Sequence, residues 1–302
     1  MAFIDLMKEK ARQNRKTIVL PESEDQRTLT AAAQILKEGT ADLILVGNAE
    51  TIKKDAAALN ADIEGVKIVD PETDPKFEHY AGTLFKLREK KGMTLEKATA
   101  TLKSDLITYG VMMVKEGDAD GLVAGACHAT ADTLRPALQI LKTAPGTELV
   151  SGFFIMDVPN CEYGANGTFL FADCGLNQDP TSEELAAIAN SSSDSFRALT
   201  GEEPKIAMLS HSTKGSAKHA LVDKVTAAVS IAHEKYPELN QVLADLAEKY
   251  GTTKTGIASA WIFRHPAKIQ MVAGTTNLKR LREIALAADI RLTREEWYQL
   301  SD

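Results

Sequence analysis

The chain has 302 residues, 44% of them hydrophobic and 25% charged, with 19 Gly and 10 Pro. This composition excludes disordered, collagen-like and disulfide-scaffold classes, and the length suggests about two domains. With 35 Lys and Arg against 42 Asp and Glu, the net charge is −7. Non-specific attraction to nucleic acid or anionic lipid is therefore disfavoured, and any basic site must be local. Cys127, Cys161 and Cys174 form no CxxC pair, which points away from a disulfide framework or cysteine zinc site and toward the reducing cytoplasm. Residues 1–16 lack the apolar core of a signal peptide, and no apolar run approaches about 18 residues, so neither export nor a membrane span is expected.

Taken in chain order, short β-rich runs alternate with helical stretches. Thr17–Leu20 reads as a strand, Gln26–Glu38 as a helix closed by Gly39, and Asp42–Val46 as a strand ended by Gly47-Asn48. Further strands are expected at Val66–Val69, Gly121–Ala124, Leu149–Met156, Thr168–Ala172 and Lys205–Leu209. Helices are expected at Pro75–Lys91, Leu95–Lys115, Thr133–Lys142, Ser182–Leu199 and Ala217–Lys235. Near-continuous apolar strands separated by helices imply an α/β fold with a largely parallel sheet. A break after Pro145-Gly146 is the best internal boundary, giving a first α/β domain over 1–148 and a partial second over 149–240. The tail, 241–302, carries both tryptophans and a net charge of +2 against −9 for the rest. It reads as helices at Gln241–Tyr250, Thr255–Arg264, Leu278–Ala288 and Thr293–Leu300, with one strand at Ile269–Ala273.

Three loops concentrate groups that could carry chemistry. After the strand at Gly121, the run through Thr130, Asp132, Thr133 and Arg135 combines hydroxyls, helix-start N–H groups and a guanidinium, a setting that favours anions. The alternative is a helix capped by Thr130 or Asp132, with Arg135 solvated. After Lys205–Leu209, the residues Ser210, His211, Ser212, Thr213, Lys214, Gly215, Ser216 and Lys218 form a phosphate cradle or an ordinary polar turn; the P-loop spacing is absent. Asp173 and Asn177 follow a third strand and either contact substrate or satisfy the turn backbone. The six histidines, His79, His128, His211, His219, His233 and His265, show no ligand spacing, and no metal is assigned.

Leu20-Pro21-Glu22, Leu87-Arg88, Lys91-Gly92-Met93-Thr94, Gly117-Asp118 through Pro136, Phe171-Ala172-Asp173-Cys174, Asn177, Pro180 and Met208-Leu209-Ser210 through Lys218 occur in one order. Over about 1–240 this pattern resembles the phosphate acetyltransferases, which exchange acetyl between coenzyme A and phosphate. Ser23 stands where the family has Gly, Cys127 where it has Val, and His211 at an aromatic-leaning position. The resemblance implies a two-domain α/β/α fold similar to the isocitrate and isopropylmalate dehydrogenases, a cleft between the domains and a homodimer. It implies Arg135 and Arg88 as catalytic contacts to phosphate and carbonyl. Thr130, Thr133, Asp173, Asn177, Ser210, Ser212, Thr213, Lys214, Gly215 and Ser216 are the implied substrate-binding residues. Coenzyme A enters as a substrate and no cofactor is implied; the partners are acetyl-coenzyme A or coenzyme A with phosphate or acetyl phosphate, and neither nucleic acid nor membrane.

The family's Ser-Arg-Gly-Cys segment and its Asp base are not found after Glu238, so the fold is expected to be incomplete at its C-terminus and activity impaired. From Leu239-Asn240-Gln241 onward the chain instead resembles the end of an aldo-keto reductase, through Ala244 to Gly251, Ala258 to Ile262 with Arg264-His265-Pro266, and Gly274 to Asn277. That resemblance implies dinucleotide contacts by Thr275, Arg280 and Glu283, without the Tyr, Lys, Asp and His that transfer hydride. A non-catalytic phosphate- or coenzyme-A-binding chimera is one alternative function, and an NAD(P)-dependent reductase is another. The tail's apolar face, including Ile257, Trp261 and Ile262, is expected to dock on the transferase portion or stay exposed.

Overall fold

In the computed structural model, which describes residues 3–161, 163–212, 217–236, 246–264 and 278–300 and omits the side chains of 280, 295, 298 and 299, four parallel strands set the frame of the first unit. They are β1 (Thr17–Leu20), β2 (Asp42–Val46), β3 (Lys67–Val69) and β4 (Gly121–Leu122), in the order β3-β2-β1-β4. Thr17 aligns with Asp42, Ile44 with Lys67 and Ile18 with Gly121. Because successive side chains in a strand face opposite ways, the apolar runs split between two cores. Val19, Ile44, Val46 and Val69 join Tyr80, Leu102, Tyr109 and Met112 on one face. Leu20, Leu43 and Leu45 join Leu29, Ala32, Ile52 and Ala56 on the other.

The helices of this unit are α1 (Phe3–Gln13), α2 (Gln26–Glu38), α3 (Ala49–Ala58), α4 (Phe77–Arg88), α5 (Leu95–Ser104), α6 (Leu106–Lys115) and α7 (Thr130–Ile140). The single helix expected over Leu95–Lys115 is two, since Asp105 adopts an extended conformation and its carboxylate accepts the Thr108 N–H as the N-cap of α6. α3, missed in the sequence, begins at Asn48, whose side chain accepts from Thr51 N. The pattern on α6 also brings that helix against the sheet. A Cβ on Gly110 would lie 2.7 Å from Leu122 Cδ1 and 2.9 Å from Val19 Cγ1. Gly110→Ala is therefore expected to destabilise the protein by about 1–3 kcal/mol through overpacking. Denaturant titration checks this; an unchanged midpoint would show that the contact relaxes freely.

The chain divides at Pro145/Gly146. In the second unit, β5 (Phe153–Asp157) and β6 (Thr168–Ala172) pair antiparallel, Phe154 opposite Phe171. The largely parallel sheet expected throughout is thus confined, among the described residues, to the first unit. Helices α8 (Ser182–Thr200) and α9 (Ala220–Lys235) pack together. α8 begins with a capping box in which Thr181 and Glu184 satisfy each other's backbone N–H. Lys205–Leu209 forms no strand: Leu209 is 85% and Ile206 42% exposed. An apolar run of that length becomes a strand only if a partner edge receives its backbone, and among the described residues none does.

The tail contributes α10 (Lys254–Phe263), α11 (Leu278–Leu286) and α12 (Arg294–Gln299). Leu246, Ile257, Ala260, Ala287 and Leu292 form a core of their own, flanked by Tyr250, Trp261, Ile290 and Trp297. The indoles of Trp261 and Trp297 stack with centroids 5.4 Å apart, and each Nε1–H donates to the other residue's carbonyl at 3.0 Å. Glu296, buried beside them, accepts from Lys249, Tyr250 and Thr293 N. Burial alone raises its pKa, but the Lys249 and Tyr250 bonds outweigh that and bring it down to about 2. Of the apolar face expected to dock or stay exposed, Ile257 and Trp261 instead pack within this tail cluster; Ile269, Met271 and Val272 lie outside the described residues. The expected strand at Ile269–Ala273 lies outside the described residues. No helix among the described residues is long and apolar enough to cross a membrane.

Candidate functional site

β1 is followed by Pro21-Glu22, and the Glu22 side chain is only 2% exposed. The loop from β4 to α7 returns over this carboxylate. Oε2 accepts the N–H groups of Gly125 and Ala126 at 2.7 Å, and Oε1 accepts those of Cys127 and His128 at 3.0 Å. His128 Nδ1 lies 2.8 Å from the same Oε1. Burial pushes the Glu22 pKa up, but the N–H donors of Cys127 and Ala126, followed by His128, bring it to about 2. Next to it, the Ser23 hydroxyl donates to Val46 O at 2.6 Å and ties this turn to β2.

Glu22, Cys127 and His128 have ligand atoms within 4.8 Å of one another. Both oxygens of Glu22 are already taken by backbone donors, and the Cys127 thiol is held up to about 11 by burial and then by Glu24 and Glu22. A protonated thiol and a saturated carboxylate make a hydrogen-bonded cluster rather than an open ligand set.

The loop opens into α7, whose N-cap is Ala129 with no side-chain cap bond. Neither Thr130 nor Asp132 caps this helix, so its first N–H groups receive no side-chain oxygen. A cleft of about 550 Å³ lies beside it, lined by Glu24, Asp105, His128, Asp132, Arg135 and Gln139 among others. Leu84 of α4 and Met93, on either side of Arg88, line it too. Arg135 is exposed and has no ion pair among the described residues. The Arg88 Nε and the Thr133 Oγ1 are buried without a hydrogen-bond partner. Such orphaned donors are uncommon in proteins and each calls for a partner. Thr130 is exposed at the helix start.

The remaining sequence candidates belong to the second unit. Asp173 accepts from Gly175 N, Leu176 N, Gly152 N and Asn177 Nδ2, while Asn177 also donates to Val150 O. These two residues thus occupy one another and their turn. Burial raises the Asp173 pKa, yet the N–H donors of Gly175 and Leu176 leave it below the usual carboxylate value. Ser210 Oγ donates to Ser212 O and accepts Ser212 N; Ser212 Oγ bonds both Ala217 N and O. The expected strand before this loop is absent. Thr213, Lys214, Gly215, Ser216 and Thr275 lie outside the described residues, as does the Arg280 side chain. Glu283 accepts from Thr253 Oγ1 at 3.1 Å.

The phosphate acetyl/butaryl transferase family matches residues 2–246. The chain belongs to this family. Phosphate acetyltransferase from Thermoanaerobacterium thermosaccharolyticum is 57% identical over 239 residues, 79% of this chain and 72% of that protein. The corresponding enzyme of Acetivibrio thermocellus is 55% identical over 239 residues, 79% of this chain and 71% of that protein. The solved EutD phosphotransacetylase from Staphylococcus aureus superposes with a TM-score of 0.70 at 39% identity, covering 79% of this chain and 70% of its own. The aldo/keto reductase family matches residues 198–302, overlapping the end of the transferase match. Sequence reasoning passed over Glu22, Glu24 and His128 as functional residues. The acid closing Leu-Pro-Glu after a strand was the available signal.

Proposed function

We propose that the chain exchanges acetyl between acetyl-coenzyme A and phosphate, giving acetyl phosphate and coenzyme A. The observation that carries this is the cleft at the start of α7, where the exposed Arg135 stands on the wall beside helix-start N–H groups that receive no side-chain cap. A phosphoryl group offers several acceptor oxygens, and a guanidinium forks onto two of them. Arg135 neutralises the phosphate and Arg88 donates to the carbonyl oxygen as it gains charge in the tetrahedral intermediate. In the reverse direction the coenzyme A thiolate attacks the acetyl carbonyl and phosphate leaves. A free thiol has a pKa of about 8.5, so a base assists.

The finer reading extends to the whole molecule: a two-domain fold like that of the isocitrate and isopropylmalate dehydrogenases, a homodimer and a cytoplasmic location. The family resemblance further implies substrate contacts by Thr130 in the first unit and by Asp173, Asn177 and Ser210 in the second. The aldo/keto reductase match over residues 198–302 supports a replaced base-bearing segment and turnover lower than in a complete relative. The same replacement favours one second reading, a chimera that binds phosphate or coenzyme A without turnover.

Thiol release from acetyl-coenzyme A, measured with and without phosphate on protein free of host enzyme, tests the proposal. The expected result is slow, phosphate-dependent release. Phosphate binding without release identifies the non-catalytic chimera, and absence of both overturns the transferase reading.

A further inference from the structure

Glu22 takes no part in the reaction above, yet it is buried and bound by four backbone N–H groups of the loop that leads into α7. An ionised carboxylate only accepts hydrogen bonds. The His128 Nδ1, 2.8 Å from Glu22 Oε1, therefore carries its proton there, and Nε2 is the nitrogen left for other partners. His128 lines the same cleft as Arg135. We propose that Glu22 is a positioning residue that fixes His128 at this cleft as an imidazolium, a second cation beside Arg135 for the phosphate group. This rests on the reading of the cleft as a phosphate site.

The surroundings favour the charged ring. Glu22 and Glu24 face it from the turn after β1, Asp105 from the junction of α5 and α6, and Asp132 from α7. Against them stand Arg135 on α7 and Arg27 on α2, the latter already paired with Asp25 and bonded to Ala126 O. Cys127, from the loop itself, is a neutral thiol. The Glu22 hydrogen bond is the chief influence raising the His128 pKa above its ordinary value. A bound phosphate dianion would favour the charged ring further.

Sulfate is the probe, because it remains a dianion from pH 5.5 to 9 and any pH dependence then belongs to the protein. Calorimetric affinity is measured across that range for the wild type, His128→Gln, Glu22→Gln and Arg135→Ala, with the His128 ring titrated by NMR. Wild-type affinity is expected to fall about tenfold as pH rises through the His128 midpoint, the scale of one charged hydrogen bond. His128→Gln should bind about tenfold more weakly at pH 5.5, match the wild type at pH 9 and show a flat profile. Glu22→Gln should lower the His128 midpoint. A wild-type profile in His128→Gln, with binding weakened in Arg135→Ala, overturns this proposal alone. Undiminished binding in Arg135→Ala overturns the phosphate site itself. If Glu22→Gln does not fold, His128→Gln still decides, since it leaves the four backbone bonds to Glu22 in place.

Discussion

Glu22→Ala is expected to lower folding stability by about 3–5 kcal/mol, the cost of removing one side of a buried charged cluster. The substitution strands the N–H groups of Gly125, Ala126, Cys127 and His128, which all donate to this one carboxylate. Denaturant unfolding followed by far-UV circular dichroism measures the loss, and a shift under about 1 kcal/mol would mean that the loop finds water or other acceptors instead. The same carboxylate sets an acid limit. Its folded pKa, about 2, lies below the ordinary 4.5, so its contribution is present in full above the unfolded value and is lost as pH falls toward the folded one. In Glu22→Ala that part of the acid sensitivity should vanish, leaving a flatter stability profile between about pH 4.5 and 2.

Arg135→Ala is expected to weaken binding of phosphate or acetyl phosphate by about 1.5–3 kcal/mol, roughly ten- to a hundredfold, as charged hydrogen bonds in the cleft are lost. Arg135→Lys restores only part of this, because an ammonium cannot fork onto two oxygens. Calorimetry on the three proteins provides the comparison. Equal affinities would mark Arg135 as a solvated surface residue despite its place on the cleft wall.

Much of the first unit could be read directly. Strands at Thr17–Leu20 and Asp42–Val46 and the helix at Gln26–Glu38 have apolar periodicity and punctuation in Gly39 and Gly47, signals that are local. α3 escaped although Asn48 marks its start, because its weak apolar stripe, Ile52 and Ala56, gives periodicity little to register. Lys205–Leu209 misled in the opposite way, since residue preference for a strand says nothing about the partner edge it needs. The site divides along the same line. Arg135 and Arg88 stand out by charge and resemblance, whereas the task of Glu22 exists only once a loop about a hundred residues onward folds over it. Spacing along the chain carries no trace of such a contact.

Because Trp261 and Trp297 are the only tryptophans of the chain, all of its indole emission comes from one stacked pair in the tail. That light therefore witnesses the fate of the tail and is blind to the parallel sheet of the first unit, while peptide-bond absorption is dominated by the helices of both units. Unfolding curves from the two signals need not coincide. Coincidence would mean that the sheet and the indole pair belong to one cooperative system, and separation would mean that the chain melts as distinct foldons. The indole pair is thus an intrinsic gauge of whether a segment resembling one family has become part of a fold belonging to another.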